Sequence, residues 1–248
     1  MKNRNWWKKT FGKAYKEAFD SIYSKERTES EVNFILDNIK LKKGINVLDI
    51  ACGAGRHSIE LAKKGFNVTG IDYSKDLLNE AKKRAAKKIL KINFILGDIR
   101  SFHVHGSQDL VIMMGNSFGY FDNQDNEKVL KNINEALKPG GYFVLDLPNT
   151  RGILRNINTV SQNDIPSGYV LTKNLSYDES SKILSLYWEF YLHGKKSRYF
   201  GELYLYSHDE IEEILNKHNF KIIKETGSYD GIKYSIDSPR LILIAQKI

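Results

Sequence analysis

The chain has 248 residues, 41% of them hydrophobic, enough to bury a full core, and one catalytic domain with an embellishment fits that length better than two equal domains. Its single cysteine excludes an internal disulfide framework and a thiolate zinc cluster, no apolar run approaches the roughly 20 residues of a membrane span, and the opening MKNRNWWKKTFGK lacks the apolar stretch of a signal peptide, so a cytoplasmic protein is expected. The net charge of +8 reads first as solvated lysine, much of it in residues 82–88 on one helix, and neither an arginine–aromatic groove nor an appended RNA-binding module is visible, so nucleic acid is the less favoured partner.

Residues 1–43 read as two helical stretches. Trp7, Phe11, Tyr15, Ala18, Phe19, Ile22 and Tyr23 recur at three-to-four spacing and give the first an aromatic face that something must cover. Thr28 and Glu31 have the spacing of a capping box for the second, whose Val32, Ile35, Leu36 and Ile39 face inward. From Ile45 to Phe66 the pattern is an apolar strand, Asp49 at its tip, a turn with Gly53 and Gly55, and an amphipathic helix starting near Arg56. The glycines permit a sharp turn with backbone N–H groups close to a ligand, and the helix points its positive end at any anion there. A second apolar strand, 67–71, ends at Asp72, 17 residues after Gly55, where the ribose of a bound nucleoside falls in a βαβ unit. Ser58 replaces the third glycine of a dinucleotide fingerprint, and Asp49 would oppose a pyrophosphate but suits an ammonium group. A third strand, 92–96, leads to Asp98, Ile99 and Arg100, with Asp98 placed to accept from an adenine amino group. Three carboxylates thus describe an amino acid, a ribose and a purine.

The fifth strand of this alternating pattern ends at Asp146, and a soft boundary follows over 147–165. Residues 168–177, 182–193 and 197–206 then read as three antiparallel strands. In the middle one Leu184, Leu186, Trp188, Phe190 and Leu192 share one face, and Ile183, Ser185, Tyr187, Glu189 and Tyr191 the other. The apolar face needs a neighbour, expected at the carboxyl edge of the main sheet, which makes these strands a substrate cover. Ser207 and Glu210 cap a further helix, and 220–224 with 241–246 supply two last strands as an antiparallel pair. The expected organisation is N-terminal helices over the cofactor site in 1–43, a Rossmann-like core in 44–150, the inserted cover in 165–206 and the end of the core in 207–248. As a whole this is an α/β fold with a seven-stranded, mostly parallel sheet and helices on both faces.

The segments VLDIACGAGRHS, VTGIDYS, GDIR, Asp109–Phe121 and Leu137–Asp146 follow one another in the order of the class I S-adenosylmethionine-dependent methyltransferases, which this sequence resembles over roughly a hundred residues. The resemblance implies S-adenosylmethionine as cofactor and S-adenosylhomocysteine as product. It implies that Cys52, Gly53 and Gly55 line the methionine end, that Asp49 partners the methionine amino group, and that Asp72 with Tyr73 holds the ribose. Asp98 with Ile99 would frame the adenine, and Met114, Gly115 and Asn116 would border the methyl group. N-terminal helices commonly lie over the cofactor in this family, so Trp7, Tyr15 and Tyr23, with Trp6, are expected to wall the site.

Methyl transfer needs an in-line approach of about 3 Å and little covalent help, so positioning carries most of it. Candidate catalytic residues are Tyr187, Tyr191, His193 and Arg240, with Tyr229 and Tyr234 behind them, Arg240 as a clamp for an acidic substrate and Asp146 as an orienter. The segment Gly115-Asn116-Ser117-Phe118-Gly119 departs from the Asn/Asp-Pro-Pro-Tyr turn that grips a flipped base, which favours a small-molecule O or N nucleophile acting with a monomeric or homodimeric enzyme. The rival readings are an RNA or protein methyltransferase, an NAD-type oxidoreductase, and a cofactor-binding protein without catalysis. No metal is called for: His103 and His105 lack a third ligand nearby.

Overall fold

The structure, a computed structural model, describes residues 5–248, with the side chains of Lys13, Phe19 and Ser21 outside the described residues. In chain order it runs α1 (Trp6–Thr10), α2 (Lys13–Ile22), α3 (Lys25–Asn38), β1 (Asn46–Ile50), α4 (Arg56–Lys63), β2 (Asn67–Asp72), α5 (Lys75–Lys87), β3 (Asn93–Leu96), β4 (Gln108–Met113), α6 (Asn123–Ala136) and β5 (Leu137–Pro148). It continues α7 (Thr150–Arg155), β6 (Val160–Ile165), β7 (Gly168–Asp178), β8 (Ile183–Leu192), β9 (Lys195–Tyr204), α8 (His208–Lys217), β10 (Phe220–Thr226) and β11 (Arg240–Lys247).

The main sheet has the order β10-β11-β5-β4-β1-β2-β3, with β1 to β5 parallel and β11 antiparallel to both β5 and β10. Period-two alternation in the buried strands builds a core on each face. Val111 and Met113 of β4 and Leu48 and Ile50 of β1 pack with Val129 and Ile133 of α6 and Ile211 and Leu215 of α8. Leu110 and Ile112, with Val47, face the other way onto Val32 and Ile35 of α3 and Leu61 of α4. Strand order reverses between β1 and β4, and at such a reversal the loops leaving the carboxyl ends diverge and open a crevice.

The N-terminal region holds three helices, because the first expected stretch breaks at Phe11–Gly12. Helix α3 is capped by Ser24, whose side chain accepts from Arg27 N at 3.1 Å, not by Thr28. The expected box residues lie one turn inside, where Glu31 is 1% exposed and faces α4. Four strands, not three, form the second sheet, ordered β6-β7-β8-β9. Strand β6 was invisible to the alternation because it is an edge strand whose residues 160–164 are all exposed. The apolar face of β8 packs inward, but at one end on the N-terminal helices, where Phe190 and Leu192 meet Ala18 of α2 and Trp188 lies 6.0 Å from Trp6, while Leu184 and Leu186 lie by Tyr120 of the loop after β4.

The loop after β4 is tied to this second sheet at Gly119. Its carbonyl accepts from Tyr204 N at 2.7 Å, its φ is +98°, and a Cβ there would stand 2.6 Å from the Tyr204 carbonyl oxygen. Gly119→Ala combines a left-handed penalty with a backbone clash and should lower stability by about 2–4 kcal/mol in urea unfolding; a loss under about 0.5 kcal/mol would contradict the close approach.

Candidate functional site

Three left-handed residues, Ala51 (φ 56°), Gly53 (φ 55°) and Gly55 (φ 76°), turn the chain from β1 into α4. Such a turn leaves backbone N–H groups without sheet partners, and the neighbouring strand supplies one acceptor: Gly53 N donates to Asp72 Oδ2 at 2.7 Å. The other oxygen of Asp72 accepts from Ser74 N at 2.7 Å. Among the described residues no cation pairs with Asp72, and burial raises its pKa despite these backbone bonds. Asp49, 2% exposed, accepts from Ser58 Oγ at 2.6 Å. Burial, only partly opposed by that bond, pushes its carboxyl up to about 7.

Between this turn, α2 and the loop after β4 lies a cavity of about 240 Å³. Cys52, Gly53, Met114, Gly115, Tyr15 and Tyr23 line it, so the structure brings these six expected residues together. A second, more open groove on the far side of Asp72 collects Trp7, Tyr73 and Asp98 around it. Trp7 meets Tyr73 edge-on at 4.5 Å, and its indole N–H is buried without a described partner. Both oxygens of Asp98 are held by Arg100, which lowers its pKa against the effect of burial. Ile99 belongs to the apolar cluster that contains Trp7. Cys52 is buried and its thiol is pushed up by burial, the setting of an unreactive packing residue.

Arg56, Ser117 and His57, which the sequence reading passed over, also line the cavity. The Arg56 guanidinium stacks 4.5 Å from the Tyr23 ring and pairs with buried Glu31. His57 Nε2 lies 2.8 Å from the same carboxylate. Burial, then the Arg56 charge, pulls His57 down to about 4, so near neutrality it is uncharged and donates through Nε2–H. Burial alone would raise Glu31, but the His57 hydrogen bond and the Arg56 charge hold it well below the carboxylate range. The partners lie 25 and 26 residues apart, and only the mid-helix position of Glu31, a carboxylate among apolar neighbours, hinted at them.

The candidate catalytic residues are dispersed. Packing the apolar face of β8 inward turns Tyr187 and Tyr191 to the other face. There Tyr187 meets Arg198 at 4.4 Å, and Tyr191 stacks on Tyr169 and donates to Glu189. His193 sits in the β8–β9 turn with its side chain 70% exposed, 2.5 Å from Glu17. None of the three lines the cavity. Arg240 lies near it but is no free clamp: Nε donates to Asp146 Oδ1 at 2.5 Å and Nη2 to Asn116 Oδ1 at 2.6 Å. Tyr234 stacks on His208, away from the glycine turn.

A methyltransferase-domain family model matches residues 47–141, the stretch that contains both cavity loops. The chain is 28% identical over 234 residues to a glycine/sarcosine N-methyltransferase of Halorhodospira halochloris, spanning 92% of this chain and 85% of that protein. It is 29% identical to a putative methyltransferase, YqeM, of Bacillus subtilis, over 81% and 83% of the two chains. It shares the fold of an S-adenosylmethionine-dependent methyltransferase from Clostridium acetobutylicum, with TM-score 0.81, 24% identity and coverage of 92% and 97%.

Residues 47–141 are a methyltransferase domain, and the chain has the fold of an S-adenosylmethionine-dependent methyltransferase. The methyltransferase uses S-adenosylmethionine as its methyl donor. The residues present fit that group. An open face at Gly53, where a Cβ would meet only Leu77 at 3.9 Å, adjoins two buried carboxylates without described cations, and an unpartnered indole donor lies along the adjoining groove. The two carboxylates complement the net positive charge of a sulfonium amino acid.

The raised pKa of Asp49 has a stability consequence with a definite sign. Its folded value, about 7, exceeds the unfolded value of about 3.9, so between these values the folded state binds more protons and stability falls as pH rises. Asp49→Asn, which removes the titration, should therefore be stabilising by about 2–4 kcal/mol at pH 8, with the gain gone near pH 4. Urea unfolding of the ligand-free methyltransferase across that range checks it; a gain that grows toward acid would contradict the assignment.

Proposed function

We propose that this methyltransferase transfers the methyl group to a small-molecule amine of amino-acid size. The observation that carries the reading is the cavity itself: Tyr15 of α2 and Tyr23 just beyond it line, with the glycine turn and Met114–Gly115, a space of about 240 Å³, a size suited to a small acceptor. The glycine/sarcosine N-methyltransferase relative, matched along most of both chains, supports nitrogen as the acceptor atom.

In this reading Gly53, Gly55 and Cys52 border the methionine end of the cofactor, Asp49 receives its ammonium group, and Asp72 beside Tyr73 takes the ribose hydroxyls. Asp98, Ile99 and Trp7 flank the adenine. Met114, Gly115 and Asn116 border the methyl group, and Tyr15, Tyr23 and Ser117 wall the acceptor. Bound S-adenosylmethionine supplies a sulfonium methyl, whose bond to sulfur breaks as the bond to the acceptor nitrogen forms.

The chain's own contribution is alignment and exclusion of water. Burial, then the neighbouring Tyr23, raises the Tyr15 phenol well above its ordinary value, so at neutral pH it acts as a hydroxyl and not as a base. His57 is bound to Glu31 and uncharged. A neutral amine needs neither as a base to attack, and the proton it gains a need to lose passes to solvent afterwards.

Calorimetry with S-adenosylhomocysteine tests the site. The unmodified protein is expected to bind, and Asp72→Ala to weaken binding at least about tenfold, the loss of charge-assisted hydrogen bonds to the ligand. Unchanged affinity would reject the ribose assignment. Labelled S-adenosylmethionine with glycine or sarcosine is expected to give the N-methylated product; transfer to tRNA and to neither amine would reject the amine reading.

A further inference from the structure

The wall of the cavity opposite the glycine turn is the loop after β4, and its shape depends on a buried ion pair from two other strands. Gly115 (φ 70°) and Asn116 (φ 63°) are both left-handed, a conformation that asparagine tolerates better than other side chains but that two successive residues hold only with support. Three contacts supply it. Gly115 N donates to Asp146 Oδ2 at 2.9 Å, Asn116 N donates to the Asp146 carbonyl at 3.3 Å, and Arg240 Nη2 donates to Asn116 Oδ1 at 2.6 Å. Arg240 Nε closes the cycle on Asp146 Oδ1.

Asp146 at the end of β5 and Arg240 at the start of β11 stand opposite one another across the antiparallel pairing, two residues out of register, with side chains 2% and 18% exposed. The approach to Arg240 is itself pinned. Asn149 Nδ2 donates to the carbonyls of Ile236 and Ser238 at 2.9 and 2.7 Å, and Arg240 N donates to the Gly227 carbonyl. A guanidinium can only donate, so it also fixes the sense of the Asn116 amide: the oxygen faces Arg240 and Nδ2 is the half left to a ligand.

We propose that Arg240 and Asp146 are positioning residues: they touch no ligand, and they hold the Gly115–Asn116 turn against the methyl-transfer end of the cavity. This replaces the sequence expectation of Arg240 as a clamp for an acidic substrate, because two of its three nitrogens already hold protein groups. The glycine turn has a matching arrangement, with Asp72 accepting from Gly53 N. The difference is that Asp146 has a cation and Asp72 has none described, so Asp72 keeps its charge for a ligand and Asp146 gives its charge to the scaffold.

The proposal rests on the methyltransferase reading, and two probes separate its failure from the failure of that reading. In the proposed placement S-adenosylhomocysteine would reach from the groove into the cavity, whereas adenosine ends in a hydroxyl on the ribose 5′ carbon and lacks the amino-acid arm. Both are titrated calorimetrically into unmodified protein, Arg240→Lys, Arg240→Gln and the pair Asp146→Asn/Arg240→Gln. Arg240→Gln is expected to weaken S-adenosylhomocysteine about tenfold to a hundredfold, the scale of a misplaced contact group, and adenosine by less than about twofold. Arg240→Lys should recover part of the loss, because it keeps a cation on Asp146 but lacks the fork that reaches Asn116. The double variant removes both buried charges, and so serves where the single one does not fold; it is expected to show the same selective loss. Equal weakening of both ligands would reduce Arg240 to general stability, and unchanged S-adenosylhomocysteine affinity would show that the turn does not need it; either overturns the proposal. An unmodified protein that binds no S-adenosylhomocysteine would instead overturn the methyltransferase reading itself.

Discussion

The site depends on one constraint: a left-handed glycine after a strand has an amide that the sheet cannot satisfy. In this protein a carboxylate at the end of the neighbouring strand satisfies it. Asp72 of β2 accepts from Gly53 after β1, and Asp146 of β5 accepts from Gly115 after β4. The two glycines stand on either side of the strand-order reversal, so the two bonds set the two walls of the crevice. An unpaired buried N–H would cost about 1–3 kcal/mol at each wall, which makes the carboxylates part of the turns and not decoration on them.

The same bonds explain how charge is divided in a protein that is basic overall. Asp146 is neutralised by Arg240 and Glu31 by Arg56, whereas among the described residues Asp49 is held by the hydroxyl and backbone of Ser58 and Asp72 by backbone donors, with no ion pair to either. Negative charge without a built-in counterion therefore concentrates on the glycine-turn side of the cavity. The cations at its mouth, Lys16 and Arg84, are tied to Asp20 and Glu80. The surplus of lysine elsewhere does not cancel this local acidic character, because solvent screens it.

Much of this arrangement was legible before any coordinates, and the boundary of legibility has a physical cause. Asp49, Gly53, Gly55 and Asp72 could be read because strand, turn and helix follow each other closely in sequence, and each step demands a particular residue type. The alternation in β8 could be read for the same reason, but it fixes only which residues share a face, not which face is covered. Packing of the apolar face on α1 and α2 decided that and carried Tyr187 and Tyr191 away from the cavity. Arg240 with Asp146 spans 94 residues and Arg56 with Glu31 spans 25, and no local preference announces either pair. The cap of α3 failed on a smaller point: Ser24 and Thr28 are both good caps, and with Ser24 as the cap Thr28 lies one turn inside, where its hydroxyl accepts from Arg56 while Glu31 meets Arg56 and His57.

Helix α1, the roof of the groove beside Asp72, is held by the same economy of contacts. Ser74 N donates to Asp72, Ser74 Oγ caps α5 by accepting from Leu77 N, and the same hydroxyl donates to the carbonyl of Phe11, where α1 ends. On its other side the roof meets the second sheet, through Thr10 Oγ1 to the Phe200 carbonyl at 3.3 Å and through Trp6 against Trp188. Nothing stands within 4 Å of where a Cβ of Gly12 would be, so the bend between α1 and α2 is held by these neighbours and not by its own packing. The carboxylate expected to meet the ribose, the helix cap beside it and the end of α1 that lines the adjoining groove thus share one serine.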